Sequence, residues 1–154
     1  MAGLVQGDND VFVTADGQLL SLATFEDKFW HCLRSELVVE FPELDTPSYD
    51  RRTDRTAAKE QVHALLVRVF AARDYDWWHQ RLTEIHAPWA PVLTRPADLL
   101  SDPQVSARSL FDAQQGGTVQ ALFPVVFGAG HETFRRPAPA LSEHTRELVE
   151  GLGA

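Results

Sequence analysis

A chain of 154 residues with 44% hydrophobic and 23% charged residues has the makeup of a soluble globular protein large enough to bury a core. A net charge of −8 argues against a nucleic-acid binder, whose affinity rests on Lys and Arg against phosphates, and against attraction to an anionic membrane surface. The single cysteine, Cys32, excludes an internal disulfide, no apolar run is long enough to span a bilayer, and the start lacks the basic and apolar regions of a secretory signal, so the expected location is the cytoplasm.

Residues 1–10 are polar and contain Gly3 and Gly7, which reads as a flexible lead-in. The β-prone runs 11–14 and 18–22 flank Ala15-Asp16-Gly17 and predict a hairpin in which Gly17 supplies a positive φ. Thr24 is placed to cap a helix over 25–37, with Phe25, Phe29, Leu33 and Leu37 as one apolar stripe. Residues 41–49, with Pro42 and Pro47, form an irregular connection. Thr53 or Asp54 caps a helix to about 72, whose apolar set is Val62, Leu65, Leu66, Val69 and Phe70. Asp74 caps another to about 86, with Trp77, Trp78, Leu82 and Ile85 on its apolar side; so short a junction predicts a helical hairpin.

Pro88 ends that helix, and 89–93 is a short extended piece. Pro96 opens a single helical turn, and Asp102-Pro103 supplies N-cap and first position of a helix to about 109. Runs 110–113 and 118–123 around Gly116-Gly117 predict a second hairpin, while Pro124 shortens the run Val125-Val126-Phe127 or puts it at an edge. Residues 135–139 read as an extended linker, and Ser142 as the cap of a final helix to about 152. Hairpins and helices without a βαβ rhythm make the fold class α+β: a small antiparallel sheet packed against several helices.

Few side chains carry chemistry by spacing alone. His79 and His86 lie near one helical face, but no Cys, Asp or Glu completes a ligand set, so no metal is expected. No serine sits in a G-x-S-x-G elbow, and Cys32 falls within a predicted helix as a small packed side chain. Gly116-Gly117 lacks the surroundings of a phosphate loop. The adjacent pairs His131-Glu132 and Glu143-His144 point apart on regular elements; Glu143 suits the start of the last helix. Trp30, Trp77, Trp78 and Trp89 read as core or interface packing rather than a ligand wall. Arg51, Arg52 and Arg55, interleaved with Asp50 and Asp54, read as a solvated capping region.

The chain carries three phrases in a fixed order: His86-Ala87-Pro88-Trp89-Ala90-Pro91-Val92, Ser101-Asp102-Pro103-Gln104-Val105, and Arg136-Pro137-Ala138-Pro139-Ala140-Leu141-Ser142-Glu143-His144-Thr145. Upstream lie Thr14-Ala15-Asp16-Gly17, Phe25-Glu26-Asp27-Lys28-Phe29-Trp30, and Val69-Phe70-Ala71-Ala72-Arg73 with Trp78. Together, over about 11–151, they resemble the C-terminal portion of the family III CoA-transferases, the group of formyl-CoA transferase, carnitine CoA-transferase and α-methylacyl-CoA racemase. Two departures are Ala87 in a usual G-x-P and Ser142 in a usual L-G-E-H-T.

The resemblance implies acyl-CoA chemistry, with a coenzyme A thioester as substrate and none bound to this chain alone. It places the nucleophilic aspartate of the transferases, and the His and Asp of the racemases, in a large domain preceding the matched region. Residues 11–134 would then be a small domain, and 135–154 a linker and C-terminal helix. The implied partner is a second copy or a separate large-domain chain, and the isolated chain is expected to be inactive. Glu26 is similar to the glutamate that lies near the acyl-CoA site in the racemase-like branch, an auxiliary catalytic role; by its position alone it is an acid in a first helical turn, favoured by the helix dipole. A racemase-like enzyme and a non-catalytic assembly protein with the same fold are the alternatives. Trp89, Val92, Leu93, Val125, Val126, Phe127 and Phe134, left over by the predicted elements, are expected to form a surface covered by dimerisation.

Overall fold

A computed structural model describes residues 6–113, 119–122, 125, 128 and 139–152, and the chain divides into two units, Met1–Val92 and Leu93–Ala154. The first begins with the predicted hairpin: β1 (Asn9–Val13) pairs antiparallel with β2 (Leu19–Ala23), Phe12 opposite Leu20, and Gly17 turns the chain with φ +79°. A third strand, β3 (Trp89–Pro91), adds antiparallel to β2, so the extended piece predicted over 89–93 completes a sheet ordered β1-β2-β3. Alternation puts Phe12, Leu20 and Leu22 on the core face and leaves Val11 and Val13 exposed on the other.

Structure starts earlier than the lead-in reading implies. Gly7 and Asp8 are buried, and a side chain at Gly7 would bring its Cβ to 2.2 Å from the Lys59 carbonyl oxygen, so only glycine fits this approach to the next helices.

Helix α1 (Asp27–Leu37) is shorter than predicted, and its N-cap is Glu26. Thr24 does not cap it: the threonine is buried and donates through Oγ1 and N–H to the Asp8 carbonyl, at 2.9 and 3.0 Å. The buried face is Trp30, Leu33 and Leu37, whereas Phe25, which precedes the helix, and Phe29, which lies at the edge of that face, are half-buried. Two 3₁₀ turns, Pro42–Leu44 and Pro47–Tyr49, form the irregular connection, each opened by its proline.

The long helix predicted to run to about 72 is two: α2 (Arg52–Ala57) and α3 (Lys59–Phe70), separated at Ala58 with φ −107° and ψ 30°. The break lets α2 turn Arg55 inward while α3 presents Val62, Leu65, Leu66, Val69 and Phe70. Helix α4 (Tyr75–Glu84) starts as predicted, Asp74 accepting the Trp77 N–H at 2.9 Å. Trp78 closes the core, stacked on Phe41 and tilted against Phe70, with its Nε1–H donated to the Phe70 carbonyl at 2.9 Å. Val62, Leu65, Leu66, Val69, Trp78, Leu82 and Ile85 are all buried, as the pattern of α3 and α4 requires.

The second unit holds α5 (Pro96–Ser101), α6 (Pro103–Ala107), the antiparallel pair β4 (Phe111–Ala113) and β5 (Val119–Ala121), and α7 (Thr145–Gly151). Asp102 caps α6 through the N–H groups of Gln104 and Val105, both at 2.9 Å. The final helix is not capped by Ser142, whose φ of +67° puts it in a left-handed turn; the N-cap is His144, and Glu143 accepts the Ala140 N–H at 2.6 Å. Gly116-Gly117, His131, Glu132 and the linker 135–138 lie outside the described residues, as do Val126, Phe127 and Phe134. The class is α+β, and among the described residues no helix is long and apolar enough to cross a membrane.

Candidate functional site

Glu26 sits at the corner where β2 gives way to α1. Its backbone is extended (φ −80°, ψ 139°), and its carbonyl accepts from the Phe29 and Trp30 N–H groups. Its carboxylate makes no capping hydrogen bond; it is half exposed and faces the Lys28 ammonium at 3.1 Å. Lys28 in turn lies over the Phe29 ring, and Arg52 over the Phe25 ring, so the corner carries two acids, Glu26 and Asp27, with two cations and two half-buried aromatic rings.

Beneath the corner is a buried ion cluster that the sequence reading misplaced. Arg55 is fully buried, not part of a solvated cap. Its Nε donates to Asp8 Oδ2 at 2.5 Å, Nη1 to the Tyr49 and Asp50 carbonyls at 2.9 Å each, and Nη2 to the Phe25 carbonyl at 2.9 Å and Asp27 Oδ1 at 3.0 Å. A guanidinium has five N–H donors, and here five acceptors meet them. The plane also lies 5.2 Å from the Trp30 ring. Asp27 further accepts the Arg52 N–H at 2.6 Å. Desolvation would raise the Asp27 carboxyl, but the bonds from Arg55 and Arg52 and the Arg55 charge outweigh it and hold the group below the ordinary aspartate range.

A second polar knot lies at the other end of the hairpin. Thr14 Oγ1 donates to Asp16 Oδ1 at 2.5 Å, Gln18 Nε2 to Asp16 Oδ2 at 2.9 Å, and the Tyr75 N–H to Asp16 Oδ1 at 3.1 Å. The Ala15 N–H reaches the Arg73 carbonyl at 2.8 Å. The aspartate and the Ala15 N–H of Thr14-Ala15-Asp16-Gly17 thus tie the turn to the start of α4, and Thr14 braces the aspartate. The Thr14 hydroxyl, then Gln18, lower the Asp16 carboxyl from 3.8 to about 2.

The remaining candidates are not drawn together. His79 lies on α4 with its ring 5.2 Å from that of Trp89, whereas His86 lies beyond the helix end with φ +53°. Among the described residues, no group of three or more His, Cys, Asp or Glu is placed to hold a metal ion. Cys32 is half-buried, its Sγ 3.4 Å from the Ile85 carbonyl. Trp30 and Trp78 are fully buried and Trp77 and Trp89 half-buried, which fits packing. A surface notch of about 380 Å³, lined by residues including Glu43, Tyr49, Gln61 and Arg68, does not include Glu26.

The buried Arg55 is the residue that sequence reasoning missed. Asp8 is 47 positions away, and three of its other acceptors are backbone carbonyls, which leave no mark in a pattern of side chains.

Comparison with known proteins adds the missing context. A family model described as CoA-transferase family III matches residues 5–145. An acyl-CoA transferase of Fusarium pseudograminearum (strain CS3096) is 30% identical over 150 residues, which is 94% of this chain and 32% of the relative. In fold, the chain is similar to a CAIB/BAIF family protein from Brucella suis, with a TM-score of 0.63 and 22% identity over 98% of this chain and 39% of the other. It is also similar to Rv3272 from Mycobacterium tuberculosis in an orthorhombic form, with a TM-score of 0.65 and 18% identity over 92% of this chain and 38% of the other. The chain therefore spans about a third of the length of the curated relative it matches.

Proposed function

The chain belongs to CoA-transferase family III, and on that premise we propose that it is the small-domain module of an acyl-CoA transferase that moves coenzyme A between carboxylic acids. The observation that carries this reading is one of extent. The match runs through nearly the whole chain, yet takes in only 32% of the acyl-CoA transferase it resembles. The activity then belongs to a larger assembly, in which a large domain supplies the nucleophile and this module supplies a wall of the site. Glu26 is the group offered to that site: it stands at an exposed helix start and its carboxylate is not spent on capping.

The assembly partner is a second copy or a separate large-domain chain. Support comes from the second unit, where Leu93, Leu100, Val119, Val125, Leu141, Leu148, Val149 and Leu152 are exposed, apolar surface that water disfavours. Sedimentation of the purified chain at micromolar concentration tests the first form of this, a symmetric dimer; a strictly monomeric species removes it and leaves the large-domain chain. The remaining members of the predicted dimer surface that are described, Trp89 and Val92, are half-buried.

A second reading, a racemase-like enzyme, has one observation in its favour: Phe25-Glu26-Asp27-Lys28-Phe29-Trp30 is similar to the segment of that branch, and the acid stands accessible. Incubation of the chain with a panel of acyl-CoA thioesters tests whether it is a module in either reading, and the same assay with a large-domain chain added separates the two by transferred product or by loss of α-stereochemistry. The expected outcome for the chain alone is neither transferred product, nor loss of α-stereochemistry, nor a mass shift for an acyl adduct. A stoichiometric adduct on one of its own aspartates contradicts the module reading.

A further inference from the structure

We propose that Arg55 is a positioning residue for Glu26, fixing the direction in which the β2–α1 corner presents that carboxylate. The inference rests on the reading of Glu26 as the acid offered to the acyl-CoA site. Two of the five acceptors on the Arg55 guanidinium belong to the residues on either side of Glu26: the Phe25 carbonyl at 2.9 Å and the Asp27 carboxylate at 3.0 Å. The Arg52 N–H holds the same Asp27 oxygen at 2.6 Å. One residue further back, Thr24 hangs by two hydrogen bonds from the Asp8 carbonyl, and Asp8 is the partner of Arg55 Nε. Residues 24, 25 and 27 are therefore fastened, directly or through Asp8, to one buried cation. Between them the half-exposed Glu26 carboxylate faces Lys28 and takes no part in the cluster, whereas the equally exposed Asp27 is tied to it.

Stability alone does not account for this arrangement. A buried arginine between two carboxylates carries a large desolvation cost, and apolar side chains of the same volume commonly stabilise a fold as well or better. What the guanidinium supplies and they do not is a rigid fork that fixes several acceptors at once. Lysine keeps the charge but has a flexible stem and three donors in place of a planar five. A reacting group misplaced by a fraction of an ångström loses much of its effect, so a rigid corner has a use at a site that it lacks in a plain turn.

The test uses Arg55→Lys, Glu26→Gln and the double variant, each in the full chain assembled with its large-domain partner, with acyl-CoA as substrate. Arg55→Lys is expected to lower kcat by about tenfold or more with KM within about twofold, and to cost nothing further in the Glu26→Gln background. An equal loss in both backgrounds overturns the positioning role and leaves the reading of Glu26 standing. An unchanged kcat in Glu26→Gln overturns that reading, and the positioning role with it. Because a buried substitution can harm folding, Asp27→Ala, at a half-exposed position, provides a second variant. In the chain alone, amide hydrogen exchange of residues 25–29 is expected to rise about tenfold in both Arg55→Lys and Asp27→Ala while the α4 amides keep their protection. Exchange that is unchanged at the corner, or that rises equally throughout the chain, overturns the proposal.

Discussion

The two units of the chain solve the problem of apolar surface in opposite ways. The first closes on itself: β1, β2, α1, α3 and α4 contribute a continuous core in which Trp30, Trp78, Phe12 and Phe70 are fully buried. In the second, α5, α6 and α7 bury no residue, and among the described residues Leu122 is the one hydrophobic side chain that reaches the buried class. Its helices are also short, below the length at which an isolated helix is stable in water. The large buried core lies in the first unit, which also exposes Val11, Val13, Val39 and Val67, while the described apolar side chains of the second are mostly exposed.

Substitutions can break this contrast, and the largest effects belong to the first unit. Trp78→Ala removes the ring between Phe41 and Phe70 and is expected to cost about 3–5 kcal/mol, read as a lowered urea midpoint. Arg55→Met leaves the Asp8 carboxylate buried without its cation, for a cost of similar size, about 3–5 kcal/mol. Adding Asp8→Leu removes the second charge and is expected to restore part of that loss; a double variant as unstable as the single one would mean that packing, not charge, holds the site.

Next comes a dependence on pH. The Asp16 carboxyl is lowered in the folded chain from 3.8 to about 2, so its contribution is complete above the unfolded value and is lost as the pH falls through the folded one. Stability of the wild type should therefore decline across this acid range, and Asp16→Asn should flatten that part of the profile. An unchanged acid limb contradicts the role given to the Thr14–Asp16–Gln18 knot. The smallest effect is expected in the second unit. Leu148→Ala, at a side chain 65% exposed, should alter stability by no more than about 0.5 kcal/mol, while shifting any self-association seen in sedimentation toward the monomer.

The sequence carried the local rules of the first unit well. Asp-Gly marked the turn, Asp74 and Asp102 marked helix starts, and the periodicity of α3 and α4 named their buried faces. These depend on neighbours within a few residues. What was not legible depends on distant groups. Thr24 has the chemistry of an N-cap, but the Asp8 carbonyl across the sheet claims its hydroxyl. A helix spanning 54–72 satisfies every propensity, yet it breaks at Ala58 where Arg55 turns into the core. Charged residues in a cluster usually face water, and nothing in the order Asp50-Arg51-Arg52-Thr53-Asp54-Arg55 distinguishes the one that does not. Of the site, Glu26 was reachable only through the family likeness of its segment, and its Arg55 support was not reachable at all.

The central claim is that this chain is one part of an acyl-CoA transferase whose nucleophile lies elsewhere. The most direct measurement is transfer of coenzyme A from an acyl-CoA donor to a carboxylate acceptor, by the purified chain alone and after addition of a large-domain chain of the same family. The account predicts no turnover from the chain alone and turnover on reconstitution, reduced when Glu26→Gln is used. Turnover by the chain alone, at a rate unaffected by the added domain, would contradict it.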